Sequence, residues 1–206
     1  MYKVSHYLET DRAKMVAFAK EHSFATVIGN GEPFPAATQL PLHITEEEGK
    51  LFFSGHLMKK TDHHLAFEKN NNVLVMFTGP HAYIRADWYA NPRVGSTVNY
   101  MAVHAKGIIR FTDEAGTVAA VKQITEERIG HGTAASFDQL PQEYIDAMAK
   151  AIVGFKIEVT EMEAVFALSQ SKSVADQKSI IEHLEKRNTN GDAYIAEKMN
   201  ALLPGE

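Results

Sequence analysis

The stretch "SGHLMKKTDHH", residues 54–64, gathers a hydroxyl, two adjacent lysines and three histidines directly after the hydrophobic run "KLFF". Two chemistries suit such a cluster, anion binding and metal ligation. For an anion, backbone N–H groups at a helix start are unsatisfied and favour negative charge. Ser54 can donate a hydroxyl hydrogen bond, and Lys59 and Lys60 supply charge to a phosphate. Taken locally, an ordinary solvated first turn carrying two lysines explains the same residues. For a metal, the spacing is wrong. His63 and His64 are neighbours and diverge by about 100° on a helix. His56 and His63 are separated by about 10.5 Å along a helical axis. Helical chelates use pairs four residues apart, as in HExxH, which the sequence lacks. No metal site is expected.

Other chemistry-bearing residues lie further along. His104 falls on the polar face of an alternating strand, where it could contact a ligand or donate a proton, or serve only structurally. Ser169 has no GxSxG elbow around it, so nucleophilic hydrolysis is not indicated. Tyr83, Trp88, Tyr89 and Tyr100 could stack on a flat cofactor ring or fill a subunit interface, where Tyr and Trp are enriched. A GxGxxG fingerprint and a GxxxxGK[ST] phosphate loop are both absent.

The elements that must carry these residues follow from periodicity. Thr10 caps a first helix with Met15, Phe18 and Ala19 on one face. Strands are expected at 24–29 and 35–44, joined across the Asn-Gly turn of "NGEPF", and at 50–55. A helix is expected over 57–69, burying Leu57, Leu65 and Phe67. A strand follows at 73–78, then a turn at "GP" leading into an extended "HAYIRADWY", and a loop at 90–98. Residues 100–111 alternate, with Met101, Val103, Ala105, Ile109 and Phe111 on one face and Tyr100, His104, Lys106 and Arg110, joined by Ala102 and Ile108, on the other. Helices are expected at 113–128 and 141–152, and strands at 154–160 and 162–169. Helices at 174–187, opened by a variant capping box from Ser173 and Asp176, and at 192–203 complete the chain. Hairpin-linked strands with peripheral helices predict an α+β protein built on an antiparallel sheet or barrel.

Bulk properties bound the function. The chain has 206 residues, 45% hydrophobic and 23% charged, which suits a folded protein with a full core. It has no cysteine, which excludes disulfides, thiolate zinc sites and cysteine nucleophiles. The N-terminus has no apolar signal region and no stretch reaches about 20 apolar residues, so a cytoplasmic protein without a membrane partner is expected. A net charge of −5 and no long basic run argue against phosphate-gripping DNA recognition. On the helix at 174–187, Lys178, Lys186 and Arg187 are interleaved with Asp176, Glu182 and Glu185, the pattern of a solvated face.

"AATQLPLHI", "LFFSGH", "VLVMFTGPHAYIRADWY", "VNYMAVHAKGIIRF", "AIVGFKIEVTEMEA" and "ALSQSKSVADQKSII" together resemble the PaiB family of FMN-binding proteins, in the family's order and over most of the chain. The resemblance implies an antiparallel FMN-binding split β-barrel with peripheral helices, a homodimer with flavin at the subunit interface, and a negative transcriptional regulator. DNA enters only through that resemblance. It implies a barrel domain over 1–170 and a helical extension over 171–206 packed on the same domain. An FMN-dependent oxidoreductase acting on a small molecule, like pyridoxamine phosphate oxidases or flavin reductases of the same fold, is the alternative. A haem-binding variant using His183 is more distant.

Carried over by residue, the family's Ala-Thr-His-Leu-Pro matches "ATQLP", with Thr38 and Leu40 retained and Gln39 in place of His. A Gln amide still bonds a flavin edge. Gly55, His56 and Lys59 match Gly-His and a basic residue, with Lys where Arg is common, which keeps charge but loses a bidentate fork. Thr61 stands where Asn is common, and His64 where Trp is often found. Asn99 and Tyr100 persist in "STVNY", while Val98 replaces Trp. Leu168, Ser169 and Gln170 are kept. The expected cofactor contacts are Thr38, Gln39, Leu40, Ser54, His56, Lys59, Lys60, Thr61, Trp88, Asn99, Tyr100, Ser169 and Gln170. With the resemblance included, "SGHLMKK" becomes the FMN phosphate site.

Overall fold

Alternation sets the strands. In Lys50–Met58, Leu51, Phe53, Gly55 and Leu57 are buried while Phe52, Ser54 and His56 are not, a period of two that only a strand satisfies. The computed structural model describes Met1 and residues 4–204. Its strands are β1 (Leu8–Glu9), β2 (Phe24–Gly29), β3 (Ala36–Pro41), β4 (His43–Glu47), β5 (Lys50–Met58), β6 (Asn72–Ile84), β7 (Thr97–Phe111) and β8 (Ile152–Ala167). Its α-helices are α1 (Arg12–Glu21), α2 (Asp62–Lys69), α3 (Glu114–Ile129), α4 (Gln142–Ala151), α5 (Val174–Arg187) and α6 (Asp192–Asn200). No helix among the described residues is long and apolar enough to cross a membrane.

The chain divides into two units. The larger comprises residues 16–77 and 104–162. Its sheet follows the order β3-β2-β6-β7-β8-β5-β4. The β2–β3 hairpin aligns Val27 with Thr38 and Thr26 with Gln39. Strand β5 runs antiparallel to β8, with His56 opposite Gly154 and Gly55 opposite Phe155. Phe53, Phe77, Phe67, Phe155 and Ile157 are almost fully buried, and the Phe53 and Phe77 rings meet edge to face at 5.2 Å. A side chain at Gly55 would put its Cβ 2.9 Å from the Phe155 ring and 3.2 Å from the Pro41 carbonyl, so packing requires glycine there.

The smaller unit comprises residues 1–15, 78–103 and 163–206. Here β1 pairs with β8, placing Leu8 opposite Val165. Helices α5 and α6 bury Ile180, Leu184, Ile195 and Met199. Ser173 caps α5 by accepting from the Asp176 N–H at 3.1 Å, as its spacing predicts. Gly191 opens α6 at φ +84°, and a Cβ there would lie 2.3 Å from the His81 carbonyl. The fold is α+β, of the antiparallel split-barrel type.

Several boundaries differ from those expected. The predicted helix over 57–69 begins only at Asp62, because β5 continues through Gly-His-Leu-Met on its β8 pairing; Leu57 is buried as a strand residue and Leu65 is 54% exposed. The expected strand at 35–44 breaks at Leu42 into β3 and β4. The expected turn at Gly79-Pro80 lies inside β6, where the buried set passes from Val73, Val75, Phe77 and Gly79 to Ala82 and Ile84. That one-residue change of phase absorbs the proline without ending the strand. The two strands predicted at 154–160 and 162–169 are one, β8, and β7 starts at Thr97 rather than residue 100. Asp11, not Thr10, caps α1, accepting from the Ala13 N–H at 2.8 Å. The last helix stops at Asn200.

Candidate functional site

The expected cofactor contacts fall into two sets, one in each unit. In the larger unit, Thr38 is half-buried, Gln39 exposed and Leu40 buried along β3. Ser54 lies opposite His43, and directly opposed residues share a face. The His43 ring bonds Glu127 and Gln123 of α3, so Ser54 and, two residues on, His56 are on the sheet face that α3 covers. His56 Nδ1 is buried without a hydrogen-bond partner. Burial holds its imidazole below the ordinary histidine pKa, favouring the neutral ring. An orphaned ring nitrogen at such a depth is costly unless a ligand or water satisfies it.

The two lysines differ. Lys59 Nζ donates to the Ala149 carbonyl at 2.9 Å, in the last turn of α4, where the helix dipole favours a cation. Lys60 occupies the left-handed region at φ +64°. Its backbone N–H donates to His64 Nδ1 at 3.2 Å, and its ammonium has no carboxylate partner among the described residues. Thr61 then caps α2. Its Oγ1 accepts from the His64 N–H at 3.4 Å and donates to the Met58 carbonyl at 2.9 Å. His64 is buried against Phe111 with ring centroids 4.9 Å apart, so it clamps the Lys60–Thr61 turn. His63 bonds Thr61 and Asp62.

In the smaller unit the polar groups are largely satisfied internally. Asn99, 2% exposed, accepts from Ser169 Oγ at 3.0 Å and donates to Met199 Sδ at 3.3 Å. Ser169 is also buried, in a left-handed conformation at φ +61°. Gln170 accepts from the Leu168 N–H at 2.8 Å and donates to the Phe166 carbonyl. Trp88 is buried, its ring stacked on His183 at 5.1 Å and 17° and its carbonyl accepting from Ser179 Oγ at 2.7 Å. His183 Nδ1 donates to the Ser179 carbonyl at 2.8 Å. Tyr100 is half-buried. Tyr89 is the exception. Its hydroxyl is buried without a partner, and burial pushes its pKa up.

Residues sequence spacing did not single out include Glu126, His131 and Asp138, whose ligand atoms lie within 4.8 Å of one another. Lys122 already pairs with both carboxylates, at 3.6 and 3.2 Å, so a side-chain cation already occupies this cluster.

A buried, unpartnered His56 nitrogen, a cation without a carboxylate at Lys60 and an exposed amide at Gln39 are donor types that suit a phosphorylated heteroaromatic cofactor. The sequence model described as "Putative FMN-binding domain" matches residues 1–161. The chain belongs to this FMN-binding family, of the PaiB-like split-barrel class, and FMN is the cofactor that membership assigns. In particular, it is 32% identical to the Bacillus subtilis (strain 168) protein "Protease synthase and sporulation protein PAI 2" over 204 residues, 98% of each chain. The fold also resembles the flavocytochrome Anf3 of Azotobacter vinelandii, with TM-score 0.60, 14% identity, and coverage of 81% of this chain and 72% of that one. The FAD and haem binding protein of Mycobacterium smegmatis gives TM-score 0.59 and 12% identity, covering 84% and 79% of the two chains. At those identities the likeness concerns fold alone. The family match ends at 161, so Ser169 and Gln170 lie beyond it.

Proposed function

We propose that this is an FMN-binding protein of PaiB type that acts in the cytoplasm as a negative regulator of transcription, with flavin at the subunit interface of a homodimer. The observation that carries the cofactor reading is the family match over residues 1–161, which contains every proposed contact except Ser169 and Gln170; the regulatory role follows the likeness to PaiB. When bound, FMN supplies one- and two-electron redox chemistry, and the protein supplies orientation and electrostatics. Lys60, assisted by Ser54 and the cap at Thr61, holds the phosphate. Gln39, with Thr38 and Leu40 on the same strand, offers its amide to the ring edge. His56 bonds the cofactor through Nδ1. Lys59 contributes by fixing the turn from α4. Asn99, Ser169 and Gln170 frame the strand that carries Tyr100, and Trp88 steadies that frame.

The homodimer is supported by a groove in the larger unit whose exposed apolar side chains lie among the charged Glu32, Asp62 and Lys69. Phe34 is 78% exposed and Leu65 54% exposed, and both line a cavity of about 430 Å³ with Pro33, Pro35 and Ala66. FMN titration, followed by flavin fluorescence and absorption, tests the cofactor. Saturation near one flavin per subunit is expected, and no binding at high micromolar FMN overturns the reading. DNA affinity measured against salt, with and without FMN, tests regulation, because phosphate contacts give a steep salt dependence. Sedimentation tests the dimer, which a charged residue at Phe34 should weaken.

A further inference from the structure

A second cavity, of about 510 Å³, opens in the larger unit among Lys20, Ser23, Leu42, His43, Ile44, Glu127 and Arg128. None of these residues is a proposed FMN contact. Three elements converge there: the last turn of α1 brings Lys20, the residue before β2 brings Ser23, and the last turn of α3 brings Glu127 and Arg128. Leu42 is held beside Ser23 by its N–H, which donates to the Ser23 carbonyl at 2.8 Å.

The charges in the cavity are unevenly paired. Glu127 is bonded to His43. Lys20 has no carboxylate partner among the described residues, and Arg128 bonds only the Ser23 hydroxyl there. Cations near helix C-termini are favoured by the dipole, which explains why Lys20 and Arg128 occupy those turns. It does not explain why a guanidinium is turned onto the hydroxyl of Ser23, a buried residue. As acceptor from Arg128, Ser23 keeps its own proton to donate, and Arg128 keeps four further N–H donors. Donors arriving from three elements suit a tetrahedral oxyanion better than a planar carboxylate, which needs only one guanidinium fork.

We propose that this cavity binds a phosphate group, with Arg128, Lys20 and Ser23 as its donors. Its volume falls within the range of about 300–1,000 Å³ typical of small-molecule sites, so a small phosphate monoester fits as well as the free anion. The site operates independently of FMN.

The test is calorimetric titration of the full chain with inorganic phosphate and, separately, glycerol 3-phosphate at fixed ionic strength. Saturable binding is expected, weakened at least tenfold in Arg128→Gln and in Lys20→Gln, with FMN affinity and far-UV circular dichroism unchanged. Ser23→Ala, which removes a donor but no charge, should weaken binding less and so separates a specific contact from general attraction. Tighter binding of glycerol 3-phosphate assigns a monoester, and equal binding assigns free phosphate. No binding of either probe, or undiminished binding in both charge variants, overturns the proposal. If FMN affinity falls in parallel with phosphate affinity, the cavity belongs to the flavin, and a separate site is overturned. Loss of FMN binding in Lys60→Ala with phosphate binding intact leaves each site standing on its own test.

Discussion

The two units use polar residues differently. In the smaller unit, apart from the Tyr89 hydroxyl, the buried polar side chains are engaged with one another: Asn99 bonds Ser169 and Met199, the Trp88 ring stacks on His183, and Asp192 bonds Arg187 and Thr189. In the larger unit, several groups have capacity left over: His56 Nδ1, the Lys60 ammonium and the donors of Arg128. Buried polar groups that satisfy each other fix a conformation, whereas those left open are where a ligand gains most. A residue's type is therefore less informative than whether its hydrogen-bonding capacity has already been used.

The largest test of that contrast is Asp192. Its carboxylate is fully buried and accepts from the Thr189 N–H at 2.9 Å and the Thr189 hydroxyl at 2.7 Å, besides its ion pair with Arg187. Asp192→Ala removes the buried acceptor of the half-buried Arg187 guanidinium and of the Thr189 N–H and hydroxyl, and should cost about 3 kcal/mol, the upper end for hydrogen bonds to a charged group, read by denaturant unfolding. The Arg187 guanidinium holds the Asp192 carboxyl down at about 2. Its unfolded value is ~3.9, so its stabilisation is complete above that pH and is lost as pH falls through about 2. Asp192→Asn should flatten that acid limb of stability. An unchanged limb would mean the pair contributes little.

Next in size is Asn99→Ala, which strands the buried Ser169 hydroxyl and should lower stability by about 2 kcal/mol while FMN affinity of the folded protein holds. A large loss of FMN affinity at full stability would move Asn99 from the frame into direct contact with the cofactor. Lys60→Ala should weaken FMN about tenfold with little change in stability, the usual scale for one charged hydrogen bond. Lys59→Ala should do the reverse, because its ammonium is bonded to the α4 carbonyl. Unchanged FMN affinity in both variants would sink the phosphate role. His183→Ala uncovers the ring of the chain's single tryptophan and should red-shift its emission, at a cost of about 1 kcal/mol. The smallest effect belongs to His56. Its folded pKa is lowered, so folding stability should decline as pH falls below ~6.5, well above the limb set by Asp192. His56→Gln should remove that upper slope.

Much of the fold was legible because the residues that fix it are local. The strand at 24–29, the cap at Ser173 and the helix at 174–187 follow from alternation and capping spacing. What was not legible depends on partners far away in the chain. The pattern 57–69 reads as helix until the β8 strand, a hundred residues on, continues to pair with Leu57 and Met58. Gly79-Pro80 reads as a turn because proline lacks a donor, yet β6 shifts its alternation by one residue and continues. At the site, adjacent Lys59 and Lys60 are identical by type. Only the position of the Ala149 carbonyl, ninety residues away, separates them. Lys20, Ser23 and Arg128 carry no shared spacing, and only the folded chain brings them to one cavity.

Gly55 and His56 stand side by side in one motif but answer to different constraints. The glycine is required by the Phe155 ring and the Pro41 carbonyl, whatever the protein binds. The histidine carries a nitrogen that the fold leaves unused. Among descendants of a common ancestor the pair should therefore come apart in one direction. A lineage that abandons the cofactor keeps the glycine and lets the histidine drift, so position 55 records ancestry of the fold and position 56 records continued selection for its ligand.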